Sequence, residues 1–179
     1  MRSSISSRFI AAVLAAVLWY APAWAAQPPQ AVHAVWVSRE VHFTFQGFTT
    51  HYTCRGLKDS IVHLLSRLGA RDLRVRDCPL RNQIVPFPAV RVTMRVLVPS
   101  THGKGGPFVT AHWRRVRLYP STYLSGNCDL MTEFRHTFLP LFAARNIQMD
   151  VTCVPNQHII GNKLYADVLT PSQPGAAVR

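Results

Sequence analysis

Apolar and polar positions alternate along several stretches of this chain and fall into a helical rhythm along two others. Residues 35–45 alternate with period two, the pattern of a strand buried on one face. Leu57, Ile61, Leu64, Leu65 and Leu68 then recur at helical spacing, which predicts a helix of about four turns with one apolar stripe, stopped by Gly69. Leu73 and Val75 mark a short strand that ends near Cys78. A loop containing Pro79, Pro86 and Pro88 leads to residues 90–98, the cleanest alternation in the chain.

The same order follows again. Residues 109–119 read as a strand, with Arg114 and Arg115 expected to interrupt the alternation as a bulge. Leu130, Phe134, Phe138, Leu141 and Phe142 form a second helical stripe in which Pro140 predicts a kink. Ile147, Met149 and Val151 alternate towards Cys153, and residues 164–169 close the series. The chain therefore reads as strand, helix, strand, strand, twice.

An offset of 74 positions relates the two series: it carries Cys54 onto Cys128 and residues 69–75 onto 143–149, and Cys78 falls one position short of Cys153. The pattern predicts an α+β fold built from a duplicated β-α-β-β module, with helices covering one face of a mixed sheet and one disulfide per copy. The copies are expected at 26–106 and 107–179, or merged as one joint domain over 33–171, with residues 100–107 as connector.

Thr53 and Asn127 suit the N-cap position, which sets Cys54 and Cys128 at the start of each helix. In a crossover between parallel strands the helix begins at the sheet end where the next strand finishes, and there lie Cys78 and Cys153. The expected bridges are thus Cys54–Cys78 and Cys128–Cys153, each worth roughly 3 kcal/mol in the chain-entropy model. A reactive-thiol reading, based on the lowered pKa of a helix N-terminal cysteine, is opposed by the lack of a Cys-x-x-Cys pair and by the doubling of the arrangement.

Residues 1–25 have the make-up of a cleaved secretory leader: Arg2 and Arg8, an apolar run from Phe9 to Tyr20 too short to span a bilayer, and a small-x-small site at Ala23, Trp24 and Ala25. Export to the periplasm or beyond is the expectation, and an even cysteine count in an oxidising compartment accords with it. The chain carries 20 Lys and Arg against 8 Asp and Glu, a formal net charge of +12. That balance favours anionic partners, and export disfavours cytosolic nucleic acid among them.

No grouping of residues points to catalysis. Asp59 and Glu133 correspond across the repeat, but both lie in the first half of a predicted helix, where a carboxylate is favoured by the helix dipole. Arg71 and Arg145 correspond just past the helix ends, again an electrostatically favoured place. The eight histidines, His33, His42, His51, His63, His102, His112, His136 and His158, show no metal-ligand spacing. Gly103-Lys104-Gly105-Gly106 lacks the spacing and the hydroxyl residue of a phosphate loop. No catalytic set, metal site or cofactor is therefore assigned.

The strongest functional feature is a basic face. With Val90, Val92, Met94, Val96 and Val98 turned to the core, Arg91 and Arg95 face outward, and Arg74 and Arg76 share that parity on the preceding strand. If the two strands pair, Arg74, Arg76, Arg91 and Arg95 form an anion-binding candidate for an envelope component or an acidic protein. The first expectation is a non-catalytic binding or adaptor protein of the bacterial cell envelope. The alternatives are an enzyme or metal-handling protein with its site in a cleft between the copies, and an inhibitor or immunity-type protein with an acidic partner.

Overall fold

A computed structural model describes residues 31–48, 51–78, 83–100, 107–119, 128–154 and 162–172. The expected leader at 1–25, the expected cap at Asn127 and residues 101–106 of the expected connector lie outside the described residues. In chain order the elements are β1 (Val32–Thr44), β2 (Tyr52–Thr53), α1 (Cys54–Arg67), β3 (Arg71–Arg76), β4 (Ile84–Val85), β5 (Ala89–Pro99), β6 (Val109–Leu118), α2 (Cys128–Thr137), a 3-10 turn at Leu139–Leu141, β7 (Arg145–Asp150) and β8 (Lys163–Pro171).

Six strands form one sheet in the order β3-β5-β1-β6-β8-β7, and β2 with β4 makes a separate two-stranded ribbon. Every hydrogen-bonded neighbour in the six-stranded sheet is antiparallel. The crossover partners β1 and β3 do run the same way, as the sequence predicts, but β5 lies between them. The fold is thus α+β, with two helices and two disulfides, Cys54–Cys78 and Cys128–Cys153, whose Cα atoms are 5.5 and 5.3 Å apart.

Local chemistry accounts for the element ends. The Thr53 side chain accepts a hydrogen bond from the Gly56 amide at 3.1 Å and so caps α1. Gly69, at φ +90°, closes the helix: its amide reaches Ser66 O and the Ala70 amide reaches Leu65 O. Pro140 does not kink α2. The helix stops at Thr137, and Pro140 enters the tighter turn that follows, because a ring without an N–H cannot continue the ladder.

The bulge expected at Arg114 and Arg115 is absent, since β6 pairs with β8 in unbroken register from Ala111 to Leu118. The register shifts fall instead in the outer strands, between Arg71 and Arg74 in β3 and between Arg145 and Gln148 in β7. At each, one residue takes left-handed backbone, Asp72 and Asn146, both at φ 51°. Asp and Asn tolerate that region better than other residues with a Cβ, through local hydrogen bonds of their short side chains.

One apolar cluster contains the buried stripes of both helices together with Val90, Val92, Met94 and Val96 of β5 and Leu164, Ala166 and Val168 of β8. It crosses the middle of the chain: Phe43 of β1 meets Phe138 beyond α2 with ring centroids 5.1 Å apart. β1 and β6 themselves pair only over Val32–Ala34 and Val109–Ala111. At that seam, on the face away from the helices, Ala34, Leu97, Ala111 and Leu169 form a second, smaller cluster flanked by Trp36 and Trp113.

Candidate functional site

The face of the sheet opposite the helices is built by strand parity. Pairing of β3 with β5 sets Arg76 opposite Arg91 and Arg74 opposite Thr93, with Val75 and Val92 turned the other way. The four arginines singled out from the sequence, Arg74, Arg76, Arg91 and Arg95, thus occupy neighbouring positions on one face. Their surroundings are not uniform. Arg91 is shared between Glu40 at 3.8 Å and Asp77 at 3.4 Å, and Arg95 pairs with Asp72 at the bulge. Arg74 and Arg76 are exposed, and no carboxylate among the described residues lies within 4.0 Å of either.

Two adjoining grooves open here, of about 460 and 370 Å³, and Glu40, Arg74 and Thr93 line both. The first also takes in Ser38, Asp72 and Arg95, and the second Arg76, Asp77 and Arg91. Such a surface offers charge and hydrogen-bond donors. Arg74 and Arg76 together offer ten N–H donors if counted at five per guanidinium, a suitable array for phosphate, sulfate or carboxylate groups.

Towards the seam the face turns aromatic. Arg71 stacks over Trp36 with its guanidinium carbon 4.7 Å from the ring centroid, and Arg145 stacks over Trp113 at 4.0 Å. These two arginines serve the sheet face rather than the helix ends where their sequence position first suggests a role. Cation–π attraction favours a guanidinium group over the face of a ring.

The second half of the face is internally satisfied. Asp167 accepts from Asn146 Nδ2 at 2.6 Å and pairs with Arg115 at 3.2 Å and Arg145 at 3.9 Å. Arg115 also donates to Asn146 O and to Gln148 Oε1, both at 2.7 Å. The Asn146 hydrogen bond foremost, and then the Arg115 and Arg145 cations, hold the Asp167 carboxyl below its ordinary pKa. Tyr165 lies under Arg115 and Arg117 at 5.5 and 5.7 Å. In the first half, Arg95 stands where Asp167 stands in the second, opposite Arg71 and Arg145 respectively. Gln148 and Asp150 stand at the offset of 74 from Arg74 and Arg76, so the unpaired cations remain on one side only.

The other residues considered from the sequence have local partners. Asp59 pairs with Arg55 one turn earlier at 3.7 Å, and both are exposed. Glu133 accepts the Gln46 amide at 3.1 Å, tying α2 to the end of β1. Burial raises its pKa, an effect opposed by that hydrogen bond. His42 lies 3.6 Å from Glu40. The one grouping of three His, Cys, Asp or Glu ligand atoms among the described residues is Cys128, Asp129 and Cys153, and its two sulfurs are bonded to each other. The Tyr52 hydroxyl is buried, and burial pushes its pKa far up, an effect opposed by the Ser60 side chain.

Sequence reasoning placed the four arginines but missed the acids that neutralise two of them, and it missed the Trp stacks. Glu40 carried the available signal: in the first alternating run it has the same parity as Trp36 and His42, away from the core. Comparison with protein-family models, with curated proteins and with solved structures finds no match to this chain.

Proposed function

We propose that this is an exported, disulfide-stabilised binding or adaptor protein of the bacterial cell envelope, without catalytic chemistry of its own, that recognises an anionic partner through the outer face of β3 and β5. The observation that carries this reading is the pair Arg74 and Arg76: exposed, adjacent on an edge strand, and with no carboxylate within 4.0 Å among the described residues. Arg71, Arg91, Arg95, Arg115, Arg117 and Arg145 have acids or aromatic rings to hold them, and those two do not. Without Arg2 and Arg8 of the leader-like segment the formal net charge of +12 falls by two, and the remainder still adds long-range attraction for the same class of partner.

Descent from a duplicated β-α-β-β module belongs to the same reading. It is supported by the 74-residue offset, by the twin bulges at Asp72 and Asn146, and by the strand orders β3-β5-β1 and β7-β8-β6. Duplication followed by loss of the free cations from one copy leaves a single recognition face. Periplasmic or secreted residence is supported by the two disulfides and by the leader-like first 25 residues. Among the described residues no helix is long and apolar enough to cross a membrane.

The test is retention on immobilised heparin, a polyanion, followed by pull-down from envelope extract. Arg74→Glu/Arg76→Glu removes the unpaired charges while leaving the Arg91 and Arg95 ion pairs intact. The double variant is expected to elute at clearly lower salt and to lose the envelope partners the wild type captures. Equal retention and equal capture by both forms would refute the assignment.

A further inference from the structure

At one end of the sheet the protein exposes three large apolar side chains together. Phe48 is 94% exposed, Ile84 68% and Phe87 64%, the three highest values among its exposed large hydrophobics. Backbone pairing brings them to one place. The Phe45 amide bonds Pro88 O at 3.0 Å, and Tyr52 pairs with Val85 and Thr53 with Ile84. Phe48 therefore lies between Phe45, bonded to Pro88 beside Phe87, and Tyr52 and Thr53, which pair with Val85 and Ile84. Pro86 is exposed beside them. Neither 46–53 nor 83–90 contains an acidic residue.

Such exposed apolar side chains are costly in water, and contiguous ones mark contact surfaces. What they contact is indicated by what stands behind them. β5 starts at Ala89, directly after this tip, and Arg91 follows two residues on, opposite Arg76. At the rise of an extended strand, Arg91 stands about 7 Å behind Ala89. An apolar tip about 5–10 Å deep at the acyl boundary of a bilayer would therefore hold the unpaired Arg76, opposite Arg91, at the level of the headgroups. Apolar tips followed by the unpaired Arg76 and Arg74 suit a fluid anionic surface, which needs no matching shape.

We infer that Phe48, Ile84 and Phe87 insert into the interface of an anionic phospholipid bilayer while the unpaired Arg74 and Arg76 bind its headgroups, so that the protein docks peripherally on the membrane by this end. The inference rests on the anionic-partner reading above and names the partner as lipid rather than an acidic protein.

The experiment is flotation of the purified, oxidised protein with vesicles of phosphatidylglycerol and phosphatidylethanolamine, and with vesicles of phosphatidylcholine alone. The protein is expected to float with the anionic vesicles only, and less at high salt. Phe48→Ser/Phe87→Ser should reduce the bound fraction about tenfold, as loss of apolar insertion requires, with an unchanged melting temperature and unchanged heparin retention. Arg74→Glu/Arg76→Glu should reduce both vesicle binding and heparin retention. Absence of wild-type flotation, or flotation that survives loss of Phe48 and Phe87, would overturn the inference. Heparin retention without vesicle binding would dismiss lipid and leave an anionic partner standing, the acidic protein included. Loss of both would dismiss both readings.

Discussion

At the scale of single residues, the twin bulges show how a small chemical difference redirects a surface. Asp72 and Asn146 have the same backbone conformation at corresponding places, and each side chain reaches the neighbouring strand. In one half it meets Arg95, and in the other Asp167. Asp167 gathers Asn146, Arg115 and Arg145 around one carboxylate and has a lowered pKa as a result. A carboxyl whose folded pKa lies below its unfolded value, about 3.9, contributes its stability in full above that value. The contribution disappears as pH falls through the folded pKa. Asp167→Asn should therefore lower stability at pH 7, and the two proteins should converge in acid. Urea melts from pH 7 down to pH 2.5 would show this, and a difference independent of pH would contradict it.

At the scale of elements, each helix begins at a cysteine bonded to the far end of the following strand of its half. The two bridges close segments of 24 and 25 residues, so their effects should be alike. Cys54→Ser/Cys78→Ser and Cys128→Ser/Cys153→Ser are each expected to cost roughly 3 kcal/mol in denaturant melts. A bridge whose removal leaves the midpoint unmoved would not be a staple of the fold.

These elements were largely legible in the sequence because their signals are local. The period of two in 90–98, the Leu stripe of α1, the Thr53 cap and the Gly69 stop each depend on a few neighbouring residues. The misreading at Arg114 has a physical cause. Arg114 and His112 share the parity of the buried Val116 and Leu118, yet Arg114 is exposed and donates to Thr170 on β8. The broken alternation therefore records where burial ends along β6, not an extra residue. The true bulges leave no periodic trace, since left-handed Asp72 and Asn146 are set by backbone pairing with distant strands.

At the scale of the whole molecule, the sequence could place Arg74, Arg76, Arg91 and Arg95 on one face but could not give their net charge. Glu40 lies on β1, brought beside Arg91 only because β5 inserts between β1 and β3. Strand order is a long-range property, and the acids follow from it. The halves are joined by a short strand seam and by one continuous core, with Phe43 against Phe138 and Arg67 donating to Arg117 O across it. The outer face is consequently continuous, yet its cations are free at one end and satisfied at the other.

That asymmetry is the centre of the account, and arginine side-chain NMR tests it most directly. Titration with a heparin-derived oligosaccharide should shift the Nε–H signals of Arg74 and Arg76 first, with those of Arg115 and Arg145 nearly unmoved. Saturating shifts at Arg115 and Arg145, with Arg74 and Arg76 unaffected, would contradict it.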